Sequence, residues 1–295
     1  MAVFLLGVGA ACCLGLGFVL QQRAAVRAPG SDFLSFRLLL DLVRMPDWLV
    51  GVALMVAGQV LGAVALAFGQ ISLVEPLTAT NLIFAMALSR WLTRQPLGLS
   101  GWGGVAVLAL GVTAFIVAGQ PHGGGSEAGA LRHWLVFGTV AGLALLLTAR
   151  SRRLAKSSEA AVLALAAGLL YGLQDALTRI CGGIAHREGV AGLVVHWQPY
   201  AVLAIGLTGM VLVQSAFETA PLRMSLPSLT AAQPLAGIAC GIGFLGDRLR
   251  VTPGALAWET VGLAAVVVGV VMLGRHPAMP PGTAQPQAVG ATPIV

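Results

Sequence analysis

Polar side chains with amide or hydroxyl groups lie inside long apolar stretches of this sequence. Asn81 and Gln233 each follow a threonine by about one helical turn, Thr78 and Thr230 respectively. A buried amide must find a hydrogen-bonding partner, so such side chains either line a polar cavity or hold helices together, and the sequence leaves both interpretations open. The other side chains that we assign to the same candidate binding site are Gln59, Gln214, Tyr171, Gln174 and Asp175.

Ionisable side chains are scarce in these stretches, and each one is a candidate for function. Asp175 and Arg179 are one helical turn apart, so they can either form an ion pair or contribute to a binding site. We expect Gln174 and Asp175 to bind a substrate or a coupling ion, and Tyr171 to form a cavity wall. Glu259 is expected at a solvated helix end.

Motifs for catalysis or cofactor binding are absent from the sequence. It has no HExxH pair, no nucleotide-binding glycine loop and no nucleophile elbow. Its four cysteines lack the spacing of metal ligands. We therefore expect a protein that is not an enzyme and has neither a cofactor nor a metal centre.

The composition is that of a membrane protein. Hydrophobic residues make up 57% of the chain and charged residues 9%, whereas about 25% of the residues of a soluble domain are charged. The formal net charge of +6 would favour a nucleic-acid partner in a soluble chain. Here it is read as a signal of membrane topology, and no nucleic-acid partner is expected.

The apolar stretches predict an all-α, polytopic fold with about nine transmembrane helices. Crossing the hydrocarbon core takes about 20 apolar residues. The stretches near this length are 2–20, 48–69, 73–91, 102–119, 134–149, 160–184, 193–217, 225–246 and 254–273. Close helix packing is predicted by three GxxxG pairs, Gly58/Gly62, Gly168/Gly172 and Gly237/Gly241.

The two ends of the chain repeat each other. Three matches occur in the same order, residues 18–22 with 171–175, residues 77–81 with 229–233, and Trp102 with Trp258. Internal repetition of this kind indicates a duplicated unit. An odd number of crossings separates the two units, so the second would enter the membrane upside down, a construction that many secondary transporters use.

The repeat divides the chain into four parts. Residues 1–119 are predicted to form the first four-helix repeat, with a cytoplasmic interfacial segment at 31–47 that holds too many charges for lipid. Residues 132–150 would form a linking transmembrane helix, and residues 159–274 the second, inverted four-helix repeat. The tail at 276–295, rich in proline, glycine and alanine, is predicted to be disordered.

The distribution of arginine and lysine predicts the N-terminus outside and the C-terminus in the cytoplasm. One side would carry Arg23, Arg27, Arg37, Arg44, Arg90, Arg94, Arg150, Arg152, Arg153, Lys156, Arg223 and Arg275. The other would carry Arg132, Arg179, Arg187, Arg248 and Arg250. The richer side is taken as the cytoplasmic one, which fits a multi-pass protein of the plasma membrane.

Residues 58–119 carry a family resemblance. Ala67-Phe68 precedes Leu73-Val74-Glu75-Pro76-Leu77, and a short loop with arginine follows. This stretch resembles the drug/metabolite transporter (DMT) superfamily of EamA-like proteins. The predicted arrangement of the whole chain, four spans, one linking span and four more, is similar to that superfamily as well. Gly17-Phe18-Val19-Leu20-Gln21-Gln22-Arg23 is similar to the end of the first helix in the nine-span NIPA-type magnesium transporter branch.

The chain departs from that branch at carboxylates. The branch carries a glutamate in its second span where this chain has Gln59, and Thr-Pro in its third span where this chain has Glu75-Pro76. Magnesium in proteins is held by carboxylates and retained waters. The resemblance therefore implies a secondary transporter, and the departures favour a neutral or weakly charged metabolite or drug-like solute.

Two other functions remain open from the sequence. One is a magnesium or divalent-cation transporter of the NIPA type, and the other is a membrane scaffold or partner subunit that transports nothing. The expected partners are a small-molecule or ion substrate and the lipid bilayer. Homodimer formation, the identity of the substrate and the direction of transport, import or efflux, are left open.

Overall fold

The computed structural model describes residues 2–27, 36–68, 77, 80–93, 98–119, 129–246, 250 and 252–275, and its regular structure there is entirely α-helical. The all-α prediction is therefore confirmed for this part of the chain. The helices are α1 (Ala2–Arg27), α2 (Phe36–Val43), α3 (Pro46–Phe68), α4 (Asn81–Thr93), α5 (Leu99–Gly119), α6 (Ala130–Ser151), α7 (Lys156–Val195), α8 (Gln198–Thr219), α9 (Leu222–Leu245) and α10 (Pro253–Arg275).

Six of these helices are long and apolar enough to cross a membrane over the described residues. They are α1, α5, α6, α7, α8 and α10, while α3 contributes the shorter apolar stretch Pro46–Gly62. The predicted span at 73–91 begins in residues that the structure does not describe. Helix α9 has 24 residues, but it contains Pro227 and Pro234 together with several polar side chains, which lower its apolar character. The count of nine spans stays a prediction.

Helix α7 is longer than the sequence predicts. It runs from Lys156 to Val195, through the loop expected between residues 184 and 193, and α8 begins only at Gln198. The regular helix is interrupted at Gly189, whose φ of 75° and ψ of 174° suit glycine almost alone. The interruption therefore takes place inside the long helix, a few residues before it ends.

Helix α1 lies between α3 and α4 and packs closely on both. A Cβ atom added to Gly17 would lie 2.8 Å from the carbonyl oxygen of Gly51 in α3, and one added to Gly58 would lie 3.0 Å from that of Ala10. The residue numbers rise in one helix and fall in the other, so α1 and α3 are antiparallel. Glycines allow this close backbone approach in a membrane.

The helices α7, α8 and α9 pack in the same way. Cβ atoms added to Gly168 and Gly172 would lie 3.0 Å and 2.6 Å from the carbonyl oxygens of Leu229 and Gln233 in α9. The residue numbers of the contacts rise together along both helices, so α7 and α9 are parallel. This confirms that the predicted Gly168/Gly172 pair is a packing surface.

Helices α5 and α10 form an antiparallel pair through four glycines. A Cβ atom on Gly111 would lie 2.8 Å from the carbonyl oxygen of Gly262, and a Cβ atom on Gly262 would lie 2.8 Å from that of Gly111. Gly104 faces Gly269 at the other end of the contact. A hydrogen bond links the ends of the two helices, because the backbone N–H of Arg250 donates to the carbonyl oxygen of Gly119 at 2.9 Å.

Two helices have supporting positions. Helix α2 lies in the segment predicted to be interfacial, and it buries Leu38 and Leu42 against α8, α3 and α1. Among the described helices, α6 has its main contacts with α7 and α9, and only 11% of its most apolar stretch is buried inside the protein. Most of the α6 surface is therefore not covered by the other described helices.

Candidate functional site

A carboxylate and an amide meet where α7 and α9 pack together. The Nε2 atom of Gln233 donates to Oδ2 of Asp175 at 3.0 Å. Gly168 and Gly172 bring the two helix backbones close enough for these side chains to reach each other. The hydrogen bond comes from a second helix, 58 residues further along the chain, whereas the sequence pointed to Arg179 on the same helix. The Asp175–Arg179 ion pair stays a prediction.

Asp175 is exposed although it lies in the middle of a long apolar helix. A carboxylate inside a membrane almost always faces the bundle interior or a water-filled cavity, because hydrocarbon cannot solvate it. The amide of Gln233 engages one oxygen of this carboxylate, and a carboxylate can accept hydrogen bonds at both of its oxygens. The position can therefore bind a cation or a hydrogen-bond donor.

Tyr171 and Gln174 complete this site on the side of α8. The ring of Tyr171 lies 2.7 Å from where a Cβ atom would stand on Gly209, and Nε2 of Gln174 lies 3.0 Å from the equivalent point on Gly206. Both side chains are half-buried. We call Tyr171, Gln174, Asp175 and Gln233 the α7 cluster. Thr230, also half-buried, precedes Gln233 on α9 by one turn.

Gln214 belongs to a different cluster, which is fully buried. Its Nε2 atom donates to Oε1 of Gln21 at 2.6 Å, and neither side chain is more than 2% exposed. Gln21 in turn donates to the sulfur of Met55, and Gln22 donates to the carbonyl oxygen of Ala220 at 3.3 Å. We call Gln21, Gln22 and Gln214 the α1 cluster. It joins α1 to α3 and α8.

The α1 cluster contains buried oxygens without partners in the described part of the chain. These are Oε1 of Gln22 and Oε1 of Gln214. The hydroxyl of Ser215, the residue after Gln214, is also buried without a described partner. Unpaired buried acceptors are rare in proteins, and an ordered water is one way in which they are satisfied. In the sequence, Gln21 and Gln22 contribute to the repeat and to the family resemblance, and they are not among the predicted site residues. Their position near the end of an apolar run was the available signal.

The remaining predicted residues are not brought together with these clusters. Asn81 is the first residue of α4, and its buried Oδ1 atom has no hydrogen-bond partner that the structure describes. Gln59 is exposed on α3. Thr78 and Glu75 lie outside the described residues. The eight predicted side chains that the structure describes are thus divided between at least two places.

Asn81 and Gln233 do not hold equivalent packing positions. Gly15 of α1 approaches the carbonyl oxygen of Asn81 and the backbone nitrogen of Ala85. Gly168 of α7, which the repeat aligns with Gly15, approaches the same atoms of Leu229 and Gln233. Gln233 therefore corresponds to Ala85, one helical turn from Asn81. The sequence match followed the residue types, whereas the packing follows the glycine contacts.

Glu259 differs from its expected environment. Its side chain is 7% exposed rather than solvated, and Oε1 is buried with no partner among the residues described. It lies one turn before Gly262, on the helix that packs against α5. Elsewhere, no group of three or more His, Cys, Asp or Glu side chains that could hold a metal ion occurs in the described residues.

Comparisons with known proteins connect the chain to membrane transporters. An uncharacterized protein of Corynebacterium glutamicum is 26% identical over 283 residues, which are 95% of this chain and 96% of that protein. NIPA9 of Arabidopsis thaliana, named a probable magnesium transporter, is 21% identical over 269 residues, 88% of this chain and 77% of its own length. NIPA1 of the same plant, also named a probable magnesium transporter, is 27% identical over 118 residues, 40% of this chain and 35% of its own length.

No protein-family model matches the chain, and no solved structure matches it. The distant homology to named transporters and the six long apolar helices together support a multi-pass membrane protein of a transporter family. The named relatives are transporters rather than enzymes, in agreement with the expectation from the sequence.

Proposed function

We propose that this protein is a secondary transporter of the DMT superfamily that moves a small solute across the plasma membrane by alternating access. The observation that carries the proposal is the contact between Asp175 and Gln233, an exposed carboxylate of the long apolar helix α7 that is held by an amide of α9. Intramembrane carboxylates mark substrate or ion pathways. The α7 cluster is the proposed binding site.

The packing of the helices supports two inverted four-helix repeats. Helix α1 is antiparallel to α3 and parallel to α4, and α7 has the same relations to α8 and α9. In each group the first helix uses a glycine, Gly15 or Gly168, to reach the parallel partner. The fourth helices, α5 and α10, pair with each other. In this arrangement α6 is the odd crossing that turns the second repeat over.

The proposed solute is small and either neutral or weakly charged. The α7 cluster offers two amides, one phenol and one carboxylate, which together can bind several hydrogen-bond donors and one positive charge. We also propose a cytoplasmic C-terminus, which is supported by the richer set of basic residues at the ends of α1 and α6 and at the start of α7.

Magnesium is the second candidate, and the two relatives named as probable magnesium transporters favour it. Magnesium keeps several of its waters and binds through one or two carboxylates. Asp175 can supply one such ligand, and Gln174 and Gln233 can hydrogen-bond to the retained waters. The exposure of Gln59 on α3 gives no support to a cation site at the position where the branch carries a glutamate.

The test is the thermal stability of the purified full chain in detergent, measured with magnesium chloride, other divalent cations, amino acids, polyamines, nucleosides and cationic dyes. A ligand that binds only the folded state stabilises it by about 2.7 kcal/mol when its concentration is 100 times its dissociation constant. The variant Asp175→Asn keeps an acceptor for Gln233 and removes the charge. The control is Glu159→Gln. The carboxylate of Glu159 is buried, forms an ion pair with Lys156 at 3.2 Å, and is not part of the proposed site.

Stabilisation by an organic solute that is lost in Asp175→Asn and kept in Glu159→Gln supports the primary proposal. Stabilisation by magnesium alone, with the same pattern, supports the second candidate. If no compound stabilises the native chain, or if Asp175→Asn responds like the native protein, the assigned site is wrong. A chain that also fails to move any of these compounds into proteoliposomes is better described as a scaffold or partner subunit.

A further inference from the structure

We infer that Gln59 and Gln174 form a closing pair on the opposite side of the membrane, the counterpart of the pair between Gln21 and Gln214. In the cycle, one pair is formed while the other is separated. This inference rests on the proposed function, because it assumes two inverted repeats that alternate between two states. It assigns a role to Gln59, an exposed amide in the apolar stretch of α3 that the α7 cluster does not use.

The pair that is already formed closes one end of the bundle. Gln21 and Gln214 are joined by a hydrogen bond of 2.6 Å and are almost completely buried. One turn away, the rings of Phe18 and Phe217 meet edge to face with their centroids 6.2 Å apart. Both contacts join α1 of the first helix group to α8 of the second. This end of the interface between the groups is therefore sealed.

The register of the two groups identifies the counterpart pair. Gln21 packs on Gly51 of α3, and the aligned Gln174 packs on Gly206 of α8. Gln59 follows Gly51 by eight residues, just as Gln214 follows Gly206 by eight. The symmetry mate of the contact from Gln21 to Gln214 is thus a contact from Gln174 to Gln59.

The aromatic seal has a counterpart as well. Phe18 aligns with Tyr171 in the repeat. Phe217 corresponds to Gly62, because Phe217 follows Gly206 of α8 by eleven residues and Gly62 follows Gly51 of α3 by eleven. A phenol would meet a glycine where two phenyl rings meet now. The smaller partner leaves room for the hydroxyl of Tyr171. The two closures are therefore built from related but unequal parts.

In the structure, the side of the interface that carries Gln59 and Gln174 is open. Gln214 is fully buried, whereas its mate Gln59 is exposed. Helix α1 packs against α8, while the mate pair, α3 and α7, has no comparable contact over the described residues. Asp175, next to Gln174, is exposed on the same side. The α7 cluster is open to its surroundings and the α1 cluster is shut.

Matching chemistry at the two ends is what alternation requires. A ligand can shift a two-state equilibrium only if the states are close in free energy, and exchanging one amide pair for another keeps them close. An amide left facing hydrocarbon is unfavourable. Bringing α3 to α7 would satisfy Gln59 at the moment when Gln21 and Gln214 separate.

The experiment measures cross-linking in the full chain in native membranes. The variant Gln59→Cys/Gln174→Cys is treated with a short bis-thiosulfonate reagent, because two amides hydrogen-bonded end to end keep their Cα atoms too far apart for a disulfide. The control is Val60→Cys/Gln174→Cys, which moves one thiol to the adjacent exposed position of α3. The background replaces the four free cysteines, Cys12, Cys13, Cys181 and Cys240.

The first pair should cross-link and the control pair should not. Adding Gln214→Leu removes the hydrogen bond that holds the closed end, so cross-linking of the first pair should accelerate by roughly 2- to 12-fold, the factor that corresponds to one net hydrogen bond. Size-exclusion chromatography of each variant checks that it is folded. The matching measurement uses Gln21→Cys/Gln214→Cys, whose cross-linking should accelerate in Gln59→Leu.

Failure of the first pair to cross-link, or acceleration of both pairs by the same substitution, would overturn the inference. The outcome separates cleanly from that of the proposed function. If the pairs behave as expected and no compound is bound or moved, the two closures stand and the transport proposal falls. If a compound is bound through Asp175 and the first pair never cross-links, the transport proposal stands and the counterpart closure is wrong.

Discussion

The substitution Gly111→Ala tests how tightly the contact between α5 and α10 controls stability. A Cβ atom at this position would lie 2.7 Å from the backbone nitrogen of Val266, 2.8 Å from the carbonyl oxygen of Gly262 and 2.9 Å from Cβ of Ala265. Two of these atoms are backbone, so no side-chain rotation can relieve the overlap. Helix α10 must move away by roughly 0.7 Å to restore an ordinary contact.

The expected cost follows from this overlap. Adding one methyl group to a fully packed site typically costs about 1–3 kcal/mol. The control is Gly138→Ala in α6, where no atom lies within 4 Å of the new Cβ atom. There the substitution should stabilise the helix by about 0.5–1 kcal/mol, since alanine is the better helix former. The free energies of unfolding of the two variants should therefore differ by about 1.5–4 kcal/mol.

The assay is unfolding in mixed micelles with increasing dodecyl sulfate, followed by the fluorescence of the six tryptophans. Both variants are compared with the native chain under the same conditions. If Gly111→Ala unfolds at the same detergent fraction as Gly138→Ala, then α5 and α10 are not packed at the distance the structure gives.

Two further predictions concern stability. Gln214→Leu and Gln21→Leu should each lower the free energy of unfolding by about 1–3 kcal/mol, because each leaves a buried amide without its partner. The double variant should lower it by clearly less than the sum of the two single effects, and additive effects would contradict the hydrogen bond. Gly189→Ala should cost about 1–3 kcal/mol because of its positive φ, whereas Gly182→Ala, with open space around it, should be neutral or stabilising; equal melting temperatures would mean that α7 is not interrupted at Gly189.

Part of this architecture can be read from the sequence, because apolar length and repeated residue types are local properties. The alignment of residues 18–22 with 171–175 agrees with the structure, in which Gln21 and Gln174 each pack on a glycine of a neighbouring helix. What the alignment could not give is the partner in the other helix group. Gln214 meets Gln21 across 193 residues of chain, and nothing local to either residue encodes that contact.

Two other misses have physical causes. The Thr-x-x-amide pattern made Asn81 and Gln233 look equivalent, but helix register in a membrane is set by where small residues let backbones touch, and this moved the match by one turn. Gly189 looked like an ordinary loop residue, since an isolated glycine in a weakly apolar region does not distinguish a loop from an interrupted helix. Its positive φ is visible only in the structure.

The glycine contact between α5 and α10 has the form of an isologous interface. Gly111 meets Gly262 and Gly104 meets Gly269, and the spacing between the glycines is the same on both helices. Homodimers are joined in this way, with each surface meeting its own copy. Here both faces belong to one polypeptide, so the symmetry of the contact does not require them to carry the same side chains. Glu259 is present on α10 alone, whereas the glycines that make the contact are matched on both helices.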